Sequence, residues 1–353
     1  MTGPREGDIG AVDPPAVAET AGLTYVSDED APGYERRRRG RGWSYVAPDG
    51  RVAAGRERER IDALAVPPAW TDVWVALDPD AHLRATGRDD AGRKQYRYHD
   101  RWRDVRDSLK FERLAGFAES LPDVRAEVAG RLQGRRLSRN RVLASVVRLL
   151  DTTLIRVGNE AYVADNDTYG ATTLRPEHVQ VSGRDLTLLF TGKGGLEHTI
   201  PVEDHEVRRV IRQCLERTPD DLFGYEDHGV WRDVTSADVN DFLRGLAGDG
   251  FSAKDFRTWG GTAFATGHLG PVPVDDDGTL LDAAELAAID LAAERLGNTR
   301  AVARAAYVAP HVPASWRAGV LSEVWRASRR SPSLSRPERA AARVLSEFTL
   351  AEV

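Results

Sequence analysis

The sequence is poor in cysteine, in lysine and in long apolar runs, and each scarcity excludes a class of protein. A single cysteine, Cys214, among 353 residues excludes an internal disulfide and a zinc site built from cysteines. No apolar run approaches the roughly 18–20 residues that a membrane-spanning helix needs, so no membrane association is expected. The first fifteen residues are acidic and lack the apolar centre of a signal peptide, which favours a cytoplasmic location.

Four lysines accompany 45 arginines, a bias that suggests a GC-rich bacterial genome. Lys193 stands in a Thr-Gly-Lys-Gly-Gly turn between two strand-like runs. Lysine can give up its proton in a protein, whereas arginine cannot. A lysine kept at a tight turn therefore hints at a proton donor, although a solvated turn residue is the plainer interpretation of Lys193 taken alone.

Negative charge is scarce in one part of the chain. The formal net charge is −6 overall, but residues 36–156 carry 27 basic and 17 acidic side chains and so have a net charge of +10. Residues 1–35 have a net charge of −7, and residues 157–353 of −9. A basic half of this kind is typical of a polyanion-binding surface, with a chance excess on solvated faces as the alternative.

The residue pattern predicts an α+β fold in three regions. Residues 1–35 are acidic and rich in Gly, Pro and Ala, which favours a partly disordered, flexible lead-in. Residues 36–105 predict a small, mainly antiparallel β domain with strands near 43–46, 73–77, 83–87 and 94–98 and a helix over 56–64.

Residues 106–353 predict a larger, mainly helical domain that contains a three-stranded sheet. Ser138 is placed to cap a long helix that continues through Arg156 toward Tyr162. Strands are expected near 180, 186–190 and 198–202, with a turn at 192–195. Further helices are expected over 206–216, 236–246, 254–266, 282–295, 299–307 and 336–348.

Three polar residues stand out against this background. Arg156 lies in an apolar stretch, so it must be paired or face a polar cleft. Arg257 opens a helix rich in aromatic residues and glycine. Asn298 precedes Tyr307 by nine residues and could cap the helix that delivers this tyrosine. Structural ion pairs and a core tyrosine are the simpler alternatives for these residues.

Six short motifs together carry a resemblance to a known family. They are PPAWT (67–71), GRKQYRYH (92–99), IRVGNEAY (155–162), TGKGG (191–195), KDFRTW (254–259) and LGNT (296–299) followed by Tyr307. In this order, over roughly residues 40–315, the sequence resembles the bacterial, poxvirus-like type IB DNA topoisomerases. The resemblance implies a monomer that relaxes duplex DNA in the bacterial nucleoid, without a cofactor, ATP or an obligatory metal.

The resemblance also implies a role for each candidate catalytic residue. Arg156 and Arg257 would clamp the non-bridging oxygens of a phosphodiester, and Lys193 would be the general acid for the departing 5′-hydroxyl. Tyr307 would be the nucleophile that forms a 3′-phosphotyrosyl bond. Asn298 stands where viral and eukaryotic relatives have histidine, so it would act as a neutral hydrogen-bond donor.

The resemblance further implies that the two domains form a clamp around DNA. Tyr96 and Tyr98 alternate on a strand and share one face, with core packing as the alternative to DNA contact. The residues implied to bind DNA are Arg93, Lys94, Gln95, Tyr96, Tyr98, Tyr162 and Lys254.

Two other functions stay open from the sequence. A tyrosine recombinase uses a similar set of residues but usually has His-x-x-Arg at the second arginine, where this chain has Lys254-x-x-Arg257. A non-catalytic DNA-binding protein would not need Tyr307.

Overall fold

The structure is a computed structural model, and it describes residues 13–159, 163, 167–218, 220–274 and 278–348. The chain divides into two compact units, Met1–Lys110 and Phe111–Val353. Helices and antiparallel sheets both contribute, so the prediction of an α+β fold is confirmed. Among the described residues, no helix is long and apolar enough to cross a membrane.

The first unit is built on a five-stranded antiparallel sheet. Its strands are β1 (Gly33–Arg39), β2 (Gly42–Val46), β3 (Thr71–Ala76), β4 (Leu83–Arg88) and β5 (Lys94–Tyr98), in the spatial order β2-β1-β3-β4-β5. Helix α2 (Gly55–Ala63) contributes Ile61 to the core, which also contains Tyr45, Val73, Val75 and Ala85. Strand β5 therefore forms one edge of this sheet, with its backbone paired to β4 alone.

Of the segment expected to be a flexible lead-in, residues 1–12 lie outside the described residues, and residues 13–35 contain regular secondary structure. Helix α1 (Pro14–Thr20) buries Val17 and Ala18 against Leu23 and Trp102, and β1 pairs with both β2 and β3. The acidic, proline-rich composition hides these elements, because a few well-placed apolar residues suffice to order a short segment against a neighbouring core.

The second unit is mainly helical. Helix α3 (Asp100–Leu132) begins before the division of the chain, and α4 (Arg139–Thr153) follows it. Strands β6 (Val179–Ser182), β7 (Asp185–Gly192) and β8 (Leu196–Pro201) form an antiparallel sheet in that order, as predicted. The later helices are α5 (His205–Leu215), α6 (Ser236–Ala247), α7 (Ala253–Leu269), α8 (Gly278–Leu296), α9 (Arg300–Ala306), α10 (His311–Arg317), α11 (Val320–Ala327) and α12 (Arg336–Glu347).

One hairpin and two helices of this unit were not predicted. The short hairpin of β9 (Gly224–Asp227) and β10 (Val230–Asp233) lies between α5 and α6. Helices α10 and α11 lie between α9 and the C-terminal α12. All three are short, and the hairpin pattern is masked by charged residues on exposed positions.

Helix α7 is the element from which the candidate site is built. Most residues from Ala253 to Leu269 are buried, including Phe256, Trp259 and the small residues Gly260 and Gly261. An ideal Cβ on Gly260 would overlap the side chain of Leu154, and one on Gly261 would lie 2.6 Å from the carbonyl oxygen of Tyr307. The two glycines thus allow neighbouring segments to approach the backbone of α7 closely.

Candidate active site

Arg156 lies just beyond the end of α4. The helix ends at Thr153 because Leu154 adopts a left-handed conformation, φ 59° and ψ 21°, while its N–H still donates to Leu150. The prediction that the helix continues through Arg156 is therefore wrong. The segment after the turn is fixed by hydrogen bonds from the backbone of Ala171 to Arg156 and of Thr172 to Val157. Tyr162 lies outside the described residues.

Arg257 connects two distant segments through its guanidinium. It is 4% exposed, and it donates through Nη1 to the carbonyl oxygen of Leu154 and through Nη2 to that of Leu296 at 2.7 Å. Leu154 is two residues before Arg156, and Leu296 is two residues before Asn298. The side chain of Arg257 thereby fixes the two backbone segments that carry Arg156 and Asn298.

Asn298 and Arg156 are in direct contact. The Nη2 of Arg156 donates to the Oδ1 of Asn298 at 2.8 Å. The suggestion that Asn298 caps the following helix is wrong: Thr299 is the N-cap of α9, and its side chain accepts a hydrogen bond from the N–H of Val302. Gly297, with φ 59°, turns the chain between α8 and α9 and so presents Asn298 to Arg156.

Tyr307 is the first residue after α9. Its carbonyl oxygen accepts a hydrogen bond from Thr262 of α7 at 3.2 Å, which fixes the end of α9 on that helix. The guanidinium of Arg257 lies over the Tyr307 ring, 5.1 Å from its centroid. The four residues Arg156, Arg257, Asn298 and Tyr307 are therefore brought together from three separate parts of the second unit.

The electrostatics of this cluster favour an anion. Burial and the nearby charge of Arg257 lower the pKa of Arg156 to about 10, against the opposing effect of Tyr307. Within the described part of the chain, the buried Nε–H of Arg257 has no hydrogen-bond acceptor. Two cations held together out of water, one with an unsatisfied donor, are costly unless a negative group joins them.

The phenol of Tyr307 responds to the same charges. Burial raises the pKa of Tyr307, but the charge and hydrogen bond of Arg257, with the charges of Arg156 and Lys254, outweigh burial and lower the pKa overall. Lys254 is in the first turn of α7, beyond the N-cap position of Ser252. A tyrosine whose ionised form is stabilised is a better nucleophile.

Lys193 lies at the exposed turn between β7 and β8. Gly194 and Gly195 have positive φ angles of 83° and 75°, which shape this turn. The backbone of Tyr169 donates to Thr191 at the end of β7, so the hairpin is joined to the segment that also fixes Arg156.

His198 on β8 is a residue of this site that the sequence analysis missed. Burial, followed by the charges of Arg156 and Arg257, lowers the pKa of His198. A histidine five residues after Lys193 gives no recognisable signal in a single sequence, because only the hairpin register brings it back toward the arginines.

The predicted DNA-contacting residues of the first unit lie on or beside β5. The rings of Tyr96 and Tyr98 stack with centroids 5.9 Å apart, as strand alternation predicts. Lys94 pairs with Asp28 at 2.9 Å. Arg93 and Gln95 both donate to the carboxylate of Asp89 at 2.9 Å, and Gln95 is buried.

The described residues include no group of three or more His, Cys, Asp or Glu side chains arranged to hold a metal ion.

Comparison with known proteins gives matches over most of the chain. The sequence model described as eukaryotic DNA topoisomerase I, catalytic core, matches residues 99–311, and that of the bacterial DNA topoisomerase IB, N-terminal domain, matches residues 42–89. DNA topoisomerase 1B of Acanthamoeba polyphaga mimivirus is 34% identical over 212 residues, which cover 58% of this chain. DNA topoisomerase 1B of vaccinia virus (strain Copenhagen) is 23% identical over 209 residues, or 57% of this chain.

The chain spans 63% of the length of each of these two viral relatives. A solved structure of the XerH site-specific recombinase bound to a palindromic difH substrate is also similar, at 15% identity. It covers 58% of this chain and 51% of the recombinase chain, with a TM-score of 0.35.

Proposed function

The chain belongs to the type IB DNA topoisomerases, and on that premise we propose that it relaxes supercoiled DNA by cutting and resealing one strand. The observation that carries the proposal is a cluster in the second unit, in which Arg156 contacts Asn298 and the guanidinium of Arg257 lies over the ring of Tyr307. Nucleophile, anion-binding donors and a nearby lysine hairpin are the parts that phosphodiester transesterification requires.

In the proposed cleavage step, the phenolic oxygen of Tyr307 attacks the phosphorus and its proton leaves to solvent. A bond forms between this oxygen and the phosphorus as the bond to the 5′-oxygen breaks. The ammonium group of Lys193 donates a proton to the departing 5′-oxygen, a contribution of about 10²–10⁴ in rate. The 3′-phosphotyrosyl ester keeps the energy of the broken bond, so the 5′-hydroxyl reseals the strand without ATP.

The two arginines act on the charge that develops in the transition state. The non-bridging oxygens gain charge as tyrosine attacks, and guanidinium groups can donate to them in a fixed geometry. The Nε–H of Arg257 is a donor available for this purpose. The amide of Asn298 supplies a further, uncharged donor. None of these roles calls for an obligatory metal.

The DNA surface is a further part of the proposal. Arg93, Lys94, Gln95, Tyr96 and Tyr98 would contact phosphates and base edges, and the two units would close on the duplex as a clamp. Lys254 would contact the backbone near Tyr307, whose pKa its charge already lowers. Tyr162 keeps the same proposed role. We propose that a monomer performs this reaction on the nucleoid DNA of a bacterial cytoplasm.

A plasmid relaxation assay without ATP or magnesium tests the function. We expect the wild-type chain to relax supercoiled plasmid, and the Tyr307→Phe variant to bind duplex DNA without forming a covalent complex. Protein-linked DNA in denatured reactions of this variant would show that another residue is the nucleophile. Strand exchange between two duplexes would favour a recombinase, and binding without cleavage by the wild type would favour a non-catalytic protein.

The role of Lys193 needs a separate substrate. We expect Lys193→Ala to cleave ordinary DNA slowly and to regain rate on a substrate with a 5′-phosphorothiolate, because a thiolate departs without a proton. Equal defects on both substrates would mean that Lys193 contributes binding alone.

A further inference from the structure

His198 lies on β8 opposite Phe190 of β7. The two residues are partners in the antiparallel register, and their rings stack with centroids 4.9 Å apart and planes 20° apart. This cross-strand pair lies three residues before Lys193 on one strand and five residues after it on the other. The pair therefore forms the base of the hairpin that carries Lys193.

The imidazole of His198 also lies against two glycines next to proposed catalytic residues. An ideal Cβ on Gly192, the residue before Lys193, would lie 2.5 Å from the Nε2 of His198. An ideal Cβ on Gly297, the residue before Asn298, would lie 3.4 Å from its Cε1, and it would also overlap Leu196. The ring thus fills the space between the backbone preceding Lys193 and the backbone preceding Asn298.

We propose that His198 is a positioning residue, which holds the hairpin of Lys193 against the turn of Asn298 through the packing of its ring; this inference rests on the proposed function. In this proposal the ring makes no contact with the phosphate or the leaving group and acts through Lys193. Misplacement of a catalytic group by about 1 Å can cost about 10²-fold in rate.

Burial and the surrounding charges disfavour protonation of the ring. Arg156 faces it from the segment after α4, and Arg257 faces it from α7, while Glu197 on β8 acts in the opposite sense. Burial and the two arginines lower the pKa of His198, which favours the neutral form of the imidazole. Protonation at lower pH would add a third cation beside the arginines and disfavour the docked hairpin.

Two variants separate packing from charge. His198→Ala removes the ring, whereas His198→Phe keeps a flat ring that can stack on Phe190 and cannot be protonated. The measurement is single-turnover formation of the covalent complex, on ordinary duplex DNA and on the 5′-phosphorothiolate substrate. His205→Phe, at an exposed histidine of α5, is the matched control and should leave the rate unchanged.

We expect His198→Ala to slow cleavage of ordinary DNA by about 10²-fold and to recover on the phosphorothiolate, as Lys193→Ala does. His198→Phe should cleave at close to the wild-type rate at neutral pH and lose less rate than the wild type as the pH falls. A defect of His198→Ala that persists on the phosphorothiolate, while that of Lys193→Ala is rescued, would overturn the role of His198. Failure of Lys193→Ala to be rescued would instead contradict the proposed general acid.

Discussion

The Nη2 of Arg156 donates to the Oδ1 of Asn298 at 2.8 Å, and this contact fixes the orientation of the amide. A guanidinium can only donate, so the oxygen of Asn298 must face Arg156. The Nδ2 group makes a long contact of 3.4 Å to the carbonyl oxygen of Leu296. An amide held in this way presents its N–H donors away from the arginine, which suits the proposed role of a neutral donor to phosphate.

Substitution of Asn298 tests this role. We expect Asn298→Ala to reduce the rate of covalent complex formation by about 10²–10³-fold, the usual cost of one transition-state donor. Asn298→Asp should be slower still, because its carboxylate keeps the contact with Arg156 but repels the phosphate. Single-turnover cleavage measures both. If Asn298→Asp cleaves as fast as the wild type, the side chain at position 298 donates no hydrogen bond to the phosphate.

The titration of Tyr307 gives a second prediction. A phenol loses a proton on ionisation and becomes a negatively charged phenolate. Neighbouring cations stabilise the phenolate and so move the ionisation to lower pH. Arg257 and Arg156 have this effect on the pKa of Tyr307. The ultraviolet titration of the wild type minus that of Tyr307→Phe should therefore show one tyrosine that ionises below the usual range. Arg156→Ala should move this step to higher pH. An unchanged step would show that Arg156 does not influence the ionisation of Tyr307.

The sequence was sufficient to predict the main strands and helices, because their periodicity is local. It was not sufficient to predict how Arg257 works. Its acceptors, the carbonyls of Leu154 and Leu296, are 103 and 39 residues away in the chain. Such contacts depend on the packing of α7 and leave no trace in residue spacing.

The ends of elements were the least predictable features. Adjacent Asn298 and Thr299 are both good capping residues, and the turn at Gly297 decides in favour of Thr299. Leu154 is an unexpected end for α4, since a bulky residue rarely adopts a left-handed conformation. The run of arginines after Glu35 concealed β1, whose pairing with β3 is non-local.

Gly260 provides a test of the packing that holds Leu154. Because a Cβ at Gly260 would overlap the Leu154 side chain, Gly260→Ala should displace Leu154 and with it the acceptor of Arg257. We expect a loss of about 1–3 kcal/mol in the free energy of unfolding and a lower cleavage rate. Gly245→Ala on α6 is the matched control: its Cβ meets nothing within 4 Å, and it should stabilise by about 0.5–1 kcal/mol. Equal changes in the free energy of unfolding for Gly260→Ala and Gly245→Ala would contradict the close contact between Gly260 and Leu154.

The first unit offers a prediction about DNA affinity. Asp28 accepts a hydrogen bond from Thr86 at 2.8 Å and pairs with Lys94 at 2.9 Å, so its carboxylate offsets the charge of a residue proposed to contact DNA. Asp28→Asn retains an oxygen that can accept from Thr86 and removes the negative charge.

We expect Asp28→Asn, in the Tyr307→Phe background that prevents cleavage, to bind duplex DNA more tightly than its parent. The slope of log affinity against log salt should steepen by up to about 0.9, the contribution of one further phosphate contact. Asp30→Asn, an equal change of charge at a neighbouring exposed position, is the control. Fluorescence anisotropy of a labelled duplex over a range of salt concentrations measures both. If Asp30→Asn strengthens binding and steepens the slope equally, the effect is due to net charge and not to the release of Lys94. An unchanged slope for Asp28→Asn would place Lys94 away from the phosphates.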